Sequence, residues 1–235
     1  MRTVAVMQPY FLPYIGYFQL MNLADTFVLY DDVNYINKGW INRNYFAANG
    51  NRQLFTLPLD KAGQNKKINE IRIFELSKFK KNFLRGIEMS YKKAPYYSTV
   101  NALLHEVVDR EETNLSSFLF KSFLVLKKYL GIETEIIASS TKYHNTGLKG
   151  EDRIIDICKQ ENATHYINLS GGIELYSREK FAQACIDIKF IQSGEIFYKQ
   201  QGNAFIPFLS VVDILMYNTP AEIQPMLMNY KILNK

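Results

Sequence analysis

Residues 4–18 read Val-Ala-Val-Met-Gln-Pro-Tyr-Phe-Leu-Pro-Tyr-Ile-Gly-Tyr-Phe and predict a buried strand, a loop and the start of a helix. The apolar run over residues 3–7 is typical of a central parallel strand. Two prolines, Pro9 and Pro13, restrict the backbone φ angle of the loop and make it stiff. Because open α/β sheets bind ligands at the carboxyl ends of their strands, we expect a ligand site in this loop.

The opening loop, residues 8–17, offers aromatic rings and one side-chain amide but no charged side chain. Gln8 can hydrogen-bond a ligand, and Tyr10, Tyr14 and Tyr17 can stack on one. The helix start also presents unpaired backbone amides to an anion. We therefore expect these four side chains to bind substrate. The alternative is a rigid corner between strand and helix that is filled with aromatic core.

The composition indicates a globular protein with a small-molecule ligand. The 235-residue chain is 47% hydrophobic and 22% charged, which is compatible with a sizeable core. Its formal net charge of +5 suits an anionic ligand such as a nucleotide or a nucleotide sugar. Because this charge is small and dispersed, we predict a nucleotide- or sugar-containing small molecule as partner and no nucleic acid.

Cysteine use and hydropathy predict a cytoplasmic protein. Cys158 and Cys185 lie in separate apolar segments and are expected to be buried free thiols, as in a reducing compartment. The chain enters its first strand at once, without a signal-peptide pattern. No apolar run approaches the roughly 18 residues that are needed to span a membrane.

The periodicity of apolar residues predicts the fold class. A strand over 3–7, a helix over 16–24 and a strand over 26–30 form a βαβ unit, whose two strands are parallel. Strands and helices alternate again after residue 130, which predicts an α/β fold with a mostly parallel sheet, flanking helices and a Rossmann-like layout. The later predicted elements are strands over 134–138, 165–168 and 186–191 and helices over 151–160, 176–184, 210–217 and 220–228.

Two segments interrupt this α/β pattern. Residues 33–75 are rich in turn formers and read as a β-hairpin insertion, with Asn49-Gly50 as the turn between two strands. Residues 77–130 carry apolar side chains at three- and four-residue spacing and predict a layer of three helices.

Two carboxylates follow the second predicted strand. Asp31 and Asp32 can act as a general base, bind a metal or accept hydrogen bonds from sugar hydroxyls. Shortly after them, Lys38 and Arg43 can hold a phosphate and Trp40 can stack on a ring. We predict the two aspartates as catalytic and the other three residues as substrate-binding. The alternative is a solvated hairpin loop anchored by its tryptophan.

Two further polar segments follow predicted strands. We predict Ser170, Gly171 and Gly172 as substrate-binding, because consecutive glycines can point backbone amides at an anion, although a diglycine is often only a turn. Residues 139–144 combine hydroxyl groups with His144, which we include as a catalytic acid or base, although a lone histidine is more often structural. The sequence holds no P-loop, GxSxG, CxxC, HExxH or GxGxxG motif, so no metal site is assigned and no cofactor is identified.

The chain resembles the WbqC-like protein family over essentially its whole length. The resemblance lies in residues 8–18, in Asp31-Asp32-Val33-Asn34-Tyr35 with Trp40 and Asn42-Arg43-Asn44, and in residues 152–154, 166–172 and 209–215. It implies one α/β domain over residues 1–235, and it adds Asn42 and Arg153 to the substrate-binding residues. The positions that match the family pattern are Gln8, Asp31, Asp32, Trp40, Asn42, Arg43, Arg153, Gly171 and Gly172.

The resemblance implies a role in bacterial surface-polysaccharide biosynthesis, because the family is associated with O-antigen and capsule gene clusters. We predict a cytoplasmic transferase that modifies a nucleotide-linked sugar or a related metabolite, for example by acyl or aminoacyl transfer. In this interpretation Lys38, Arg43 and Arg153 hold phosphate. Asp31 or Asp32 acts as the base or binds hydroxyl groups.

Two alternatives stay open. The opening is also similar in layout to the HxGH element of nucleotidylyltransferases, with Tyr14 and Tyr17 at the two histidine positions. Such an enzyme would bind ATP or CTP with Mg²⁺ and release pyrophosphate, but a tyrosine carries no positive charge at pH 7. A non-catalytic scaffold for polysaccharide enzymes would instead show a large exposed apolar patch and no convergent polar pocket.

Overall fold

The computed structural model describes residues 1–202 and 204–233. Its strands are β1 (Thr3–Met7), β2 (Thr26–Leu29), β3 (Arg43–Ala48), β4 (Asn51–Thr56), β5 (Leu59–Asp60), β6 (Arg72–Ile73), β7 (Glu135–Ile137), β8 (His165–Leu169), β9 (Asp187–Ser193) and β10 (Tyr230–Leu233). Its α-helices are α1 (Ile15–Leu23), α2 (Leu76–Tyr91), α3 (Tyr97–Val108), α4 (Leu115–Leu130), α5 (Gly150–Gln160), α6 (Arg178–Gln183), α7 (Val211–Tyr217) and α8 (Pro220–Leu227).

Six strands form one sheet in the order β10-β9-β8-β1-β2-β7. All neighbours in it are parallel except β10, which is antiparallel to β9. The predicted α/β fold with a mostly parallel, Rossmann-like sheet is therefore confirmed. The strand β10 is an addition, because the sequence pattern predicts only helices after residue 208.

Apolar cores lie on both faces of the sheet. Strand β1 runs through the middle and contributes Ala5 to the larger core and Val4 and Val6 to the smaller one. The larger core includes side chains of α1, α2, α3, α4, α7 and α8, whereas the smaller core includes those of α5 and α6. Burial on both faces explains why β1 is a continuous apolar run rather than an alternating one.

The hairpin of the inserted segment consists of β3 and β4, which pair in antiparallel register. Its turn residues Asn49 and Gly50 have φ angles of 51° and 73°, as expected for a tight turn whose twist matches that of the strands. The predicted Asn49-Gly50 hairpin is therefore confirmed.

Replacing Gly50 with alanine is expected to lower the free energy of unfolding by about 1–2 kcal/mol. Open space surrounds the position, so the cost is the left-handed backbone itself. The matched control is Gly63→Ala, another open position but without a positive φ, for which we expect a change of at most about 0.5 kcal/mol. Urea denaturation of both variants measures the difference, and equal effects would contradict the assigned turn.

Three helices, α2 to α4, occupy the segment for which the sequence predicts a helical layer. Helix α4 ends at Gly131, whose φ of 66° provides the left-handed cap. Among the two cysteines, Cys158 is buried as predicted, but the prediction for Cys185 is wrong because its side chain is exposed. Cys185 lies in the turn between α6 and β9 with a φ of 59°, outside the packed face of either element. In the described part of the chain, no helix combines the length and the apolar character needed to cross a membrane.

Candidate functional site

The segments that follow the parallel strands start at one edge of the sheet. They are residues 8–14 after β1, 30–35 after β2, 138–144 after β7, 170–176 after β8 and the segment from residue 194 after β9. The first four contain most of the residues that the sequence predicts as a site. The segment after β9 also reaches this edge, and it is the one that sequence reasoning missed.

The opening loop is held from two sides by backbone and side-chain hydrogen bonds. Phe11 N donates to Ile41 O at 2.9 Å, which joins the loop to the segment before β3. The carbonyl of Leu12 accepts from Asn44 Nδ2 at 2.8 Å and from Ser210 Oγ at 2.7 Å. The loop is therefore fixed against both the hairpin and the start of α7.

The tyrosines of the opening loop have different environments. Tyr17 is fully buried, and its ring stacks on Phe123 with centroids 5.1 Å apart. Its hydroxyl donates to Gln8 O at 3.0 Å, so it supports the loop from inside the core. Tyr10 is half-buried, and its ring centroid lies 5.6 Å from that of Tyr17. The Gln8 side chain is half-buried.

Tyr14 lies at the start of α1, and its ring covers Gly16. A Cβ atom at Gly16 would come within 2.3 Å of that ring, so only glycine allows the tyrosine to lie there. Burial raises the pKa of Tyr14 above its ordinary value, which keeps the phenol neutral. Tyr14 therefore presents an uncharged ring beside the first turn of a helix.

A cavity of about 480 Å³ opens beside Tyr14 at this edge of the sheet. Its walls combine the start of α1, the segment after β9 and α7, and Glu195 is the only charged residue among the described lining residues. Five aromatic side chains contribute to it: Tyr14, Phe197, Tyr198, Phe205 and Phe208.

A buried carboxylate, Asp213, lies behind the wall of this cavity. It is 0% exposed and accepts hydrogen bonds from Tyr91 Oη at 2.6 Å, Tyr198 Oη at 2.7 Å and Gln200 Nε2 at 2.8 Å. Burial raises the pKa of Asp213 above its ordinary value, because these three hydrogen bonds only partly offset the lost hydration. Its position in the first turn of α7 also places the carboxylate favourably in the helix dipole.

A second polar cluster joins β2, β7 and α4. Asp31 is 1% exposed, and its Oδ1 accepts from Ser139 Oγ at 2.7 Å and from Ser140 N at 3.1 Å. Its Oδ2 accepts from Ser116 Oγ at 2.5 Å. The hydroxyl-rich segment after β7 therefore binds the carboxylate of Asp31.

Asp32, 3% exposed, forms a buried ion pair with Arg153, 4% exposed. Arg153 Nη2 lies 2.6 and 2.5 Å from the two carboxylate oxygens, and its Nε donates to Asn145 Oδ1 at 2.8 Å. The guanidinium group also lies over the Tyr30 ring, 4.9 Å from its centroid. The structure thus brings Asp32 and Arg153 together, with the two groups neutralising each other inside the fold.

The predicted cationic and aromatic residues before β3 lie on a tight turn. The guanidinium of Arg43 donates to Gly39 O at 3.0 Å and also to Lys38 O, so it closes its own turn. Lys38 is exposed, with a φ of 59°. The Trp40 ring is 49% exposed and packs edge-on against Tyr45 with centroids 5.9 Å apart.

Asn42 has both ends of its amide occupied by the protein. Its Oδ1 accepts from Tyr35 Oη at 2.9 Å, and its Nδ2 donates to Leu57 O at 2.8 Å. Because the residue is also buried, it fixes the start of the hairpin relative to the loop that precedes it.

The remaining predicted residues lie at turns. Ser170, Gly171 and Gly172 belong to a 3₁₀ turn over Ser170–Leu175, and neither glycine has a positive φ. His144 ends the 3₁₀ turn after β7 with a φ of 51°, and its side chain is exposed. Within the described residues, no three acidic, histidine or cysteine side chains are grouped so as to hold a metal ion.

A larger groove of about 560 Å³ lies elsewhere, between β4 and α2. Its apolar floor includes Phe46, Phe55, Phe79 and Phe83. None of its lining residues follows a strand of the six-stranded sheet, and none belongs to the predicted site. We therefore place the candidate site at the cavity beside Tyr14.

The fold and this edge define an α/β protein with an aromatic-lined cavity beside its first helix. The chain belongs to the WbqC-like protein family, whose sequence profile matches residues 8–225. It is 30% identical over 225 residues to the "Uncharacterized protein Rv1507c" of Mycobacterium tuberculosis (strain ATCC 25618 / H37Rv), an alignment that covers 94% of this chain and 96% of that protein. No solved structure gives a significant match. The family predicted from the opening run and the later motifs is thus confirmed.

Proposed function

We propose that the protein is a transferase that binds a nucleotide-linked sugar and modifies it for bacterial surface-polysaccharide assembly in the cytoplasm. The observation that carries this proposal is the aromatic cavity at the carboxyl edge of the sheet. Its volume of about 480 Å³ suits a small-molecule ligand, and its position follows the rule for ligand sites in open α/β sheets. The biosynthetic role is what the resemblance to the WbqC-like family implies, because that family is associated with O-antigen and capsule gene clusters.

The cavity chemistry suits a sugar nucleotide. Aromatic faces such as those of Tyr14 and Phe205 stack on sugar rings and on bases without requiring charge. The N-terminus of α1, at Tyr14, has no side-chain cap, and its helix dipole favours a phosphate near the start of the helix. Among the proposed phosphate-binding residues, Lys38 has an exposed side chain, whereas Arg43 and Arg153 also bond protein oxygens.

In this proposal Asp31 and Asp32 organise the edge of the sheet. Their carboxylates link β2 to the segment after β7 and to α5 through Ser140 and Arg153. A role for Asp31, Asp32 or His144 as catalytic acid or base stays a prediction, which exchange of each residue for its neutral isostere would test.

The environment of Tyr17 favours the transferase over the nucleotidylyltransferase alternative. In nucleotidylyltransferases, both histidines of the HxGH element stabilise charge on the phosphates of the nucleotide. Here the Tyr17 hydroxyl is inside the core and donates to Gln8 O, so this position contributes no group to a phosphate.

Thermal-shift measurements with nucleotides, nucleotide sugars and acyl-CoA test the proposal. A ligand at about 100 times its Kd stabilises by about 2.7 kcal/mol, which corresponds to about 5–10 °C in Tm for a chain of this size. We expect a nucleotide sugar to give such a shift and Tyr14→Ala or Phe205→Ala to abolish most of it.

The matched control is Phe74→Ala, which removes an exposed aromatic side chain outside the cavity and should leave the shift unchanged. The same shift in the wild type and in both cavity variants would place the ligand elsewhere. No shift with any ligand class would reject the enzyme in favour of the scaffold.

A further inference from the structure

Tyr198 combines an aromatic ring with a hydrogen-bonded hydroxyl at the wall of the cavity. The ring lines the cavity, and the hydroxyl donates its proton to Asp213 at 2.7 Å. In the part of the chain that the structure describes, Asp213 contacts no cationic side chain, since its carboxylate oxygens face Tyr91, Tyr198 and Gln200. The carboxylate therefore keeps the Tyr198 hydroxyl oriented as a donor toward the protein interior.

The Tyr198 oxygen can still accept a hydrogen bond from a ligand. Gln200 Nε2 lies near three acceptors, Asp213 Oδ2 at 2.8 Å, Tyr198 Oη at 3.0 Å and Ile206 O at 3.1 Å, but it carries only two protons. A phenolic oxygen has more than one lone-pair direction, so even a bond from Gln200 does not saturate it. Since its own proton is committed to Asp213, Tyr198 can only accept a hydrogen bond from a ligand.

We propose that Tyr198, oriented by Asp213, selects the hydroxyl-bearing sugar ring of the ligand for this cavity and keeps the phosphates outside it. A ligand hydroxyl donates to Tyr198 Oη while the neighbouring aromatic rings stack on the sugar. This inference rests on the proposed function and extends it by assigning the sugar half of the ligand to the cavity beside Tyr14.

Charge at the cavity supports this division of the ligand. The buried carboxylate of Asp213 lies directly behind Tyr198, and Glu195 is the charged side chain of the lining. Both groups repel an anion, whereas a neutral ring with hydroxyl donors meets an acceptor and aromatic faces. A phosphate beside Tyr198 would meet neither a free donor from its hydroxyl nor a cationic side chain among the described lining residues, so the phosphates belong on the side of the start of α1.

Saturation-transfer NMR on the full chain tests the inference with neutral probes. The probes are the methyl glycosides of glucose, galactose and mannose, with glucose 1-phosphate as the charged comparison. We expect saturation transfer to at least one methyl glycoside and weaker transfer to the phosphate. Tyr198→Phe, which keeps the ring and removes the acceptor, should weaken binding of the glycoside by about 3- to 10-fold.

The matched control is Tyr143→Phe, which removes another buried tyrosine hydroxyl that donates to a carboxylate, that of Glu161 at 2.8 Å. It should leave glycoside binding unchanged, and circular dichroism verifies that both variants fold. Equal binding to the wild type and Tyr198→Phe, or no transfer to any methyl glycoside, would overturn the inference. The thermal shift with nucleotide sugars distinguishes the two proposals. If nucleotide sugars give no shift but the methyl glycosides still bind, the proposed function alone is rejected. If nucleotide sugars give a shift but Tyr198→Phe binds the glycosides as the wild type does, the inference alone is rejected.

Discussion

Replacing Arg153 with methionine is expected to lower the free energy of unfolding by about 3–5 kcal/mol. The substitution removes the only cation bonded to Asp32 in the described residues and leaves a carboxylate buried that is 3% exposed. The lost attraction matters less than this unpaired charge, because a carboxylate taken out of water needs a partner or a proton. Urea denaturation at neutral pH measures the loss.

Two variants show whether the buried charge is the cause. Replacing Asp32 with asparagine in the Arg153→Met background removes the charge, so the double variant should recover much of the stability. Lys78→Met breaks an ion pair with Glu75 in which both side chains are exposed, and it should change stability by less than about 1 kcal/mol. A small effect of Arg153→Met, or no recovery in the double variant, would contradict the ion-pair assignment.

Replacing Tyr17 with alanine is expected to cost about 3–5 kcal/mol, whereas Tyr14→Ala should cost about 1 kcal/mol. Tyr17 is fully buried, and its removal leaves a cavity beside the stacked ring of Phe123. Tyr14 is half-buried and lies at the surface of the site. Chemical denaturation separates the two effects.

The ligand response should show the opposite order. Tyr17→Phe, which retains the buried ring, is used for this comparison at a temperature below its Tm. It should keep most of the thermal shift with a nucleotide sugar, whereas Tyr14→Ala should lose that shift. Equal costs in stability for the two alanine variants would contradict the assignment of Tyr17 to the core and Tyr14 to the cavity.

Local chemistry explains which parts of the fold were predictable. The βαβ unit at the start follows from an apolar run, two prolines and a helical period within thirty residues. The hairpin follows from Asn49-Gly50, because few other residue pairs adopt two positive φ angles at low cost. These elements depend on neighbours in the sequence.

The elements that were missed depend on distant partners. Strand β10 has only four residues, and it exists because Ile232 and its neighbours pair with β9 some forty residues earlier in the chain. Phe197, Phe205 and Phe208 lie in a segment with neither helical nor strand periodicity, so only tertiary placement makes them walls of a cavity.

One signal for the missed site was present in the sequence. Asp213 is the single charged residue of the apolar run Val211–Tyr217, and an acid with apolar residues on both sides of a short helix will be buried. Conversely, Asp31 and Asp32 follow a strand at the predicted edge, but the sequence alone does not show that serine hydroxyls and Arg153 surround them.

The central position of β1 also has a consequence for the order in which the chain folds. Thr3 pairs with His165, and Leu12 accepts a hydrogen bond from Ser210, so β1 and the loop after it find partners among residues that are made much later. During synthesis, β1 can pair with β2 early, but its other edge stays open until β8 emerges. Such non-local pairing slows folding and exposes an apolar strand meanwhile. A nascent chain that is released before residue 165 would therefore carry β1 with one edge open and would lack the cavity-lining segment after β9.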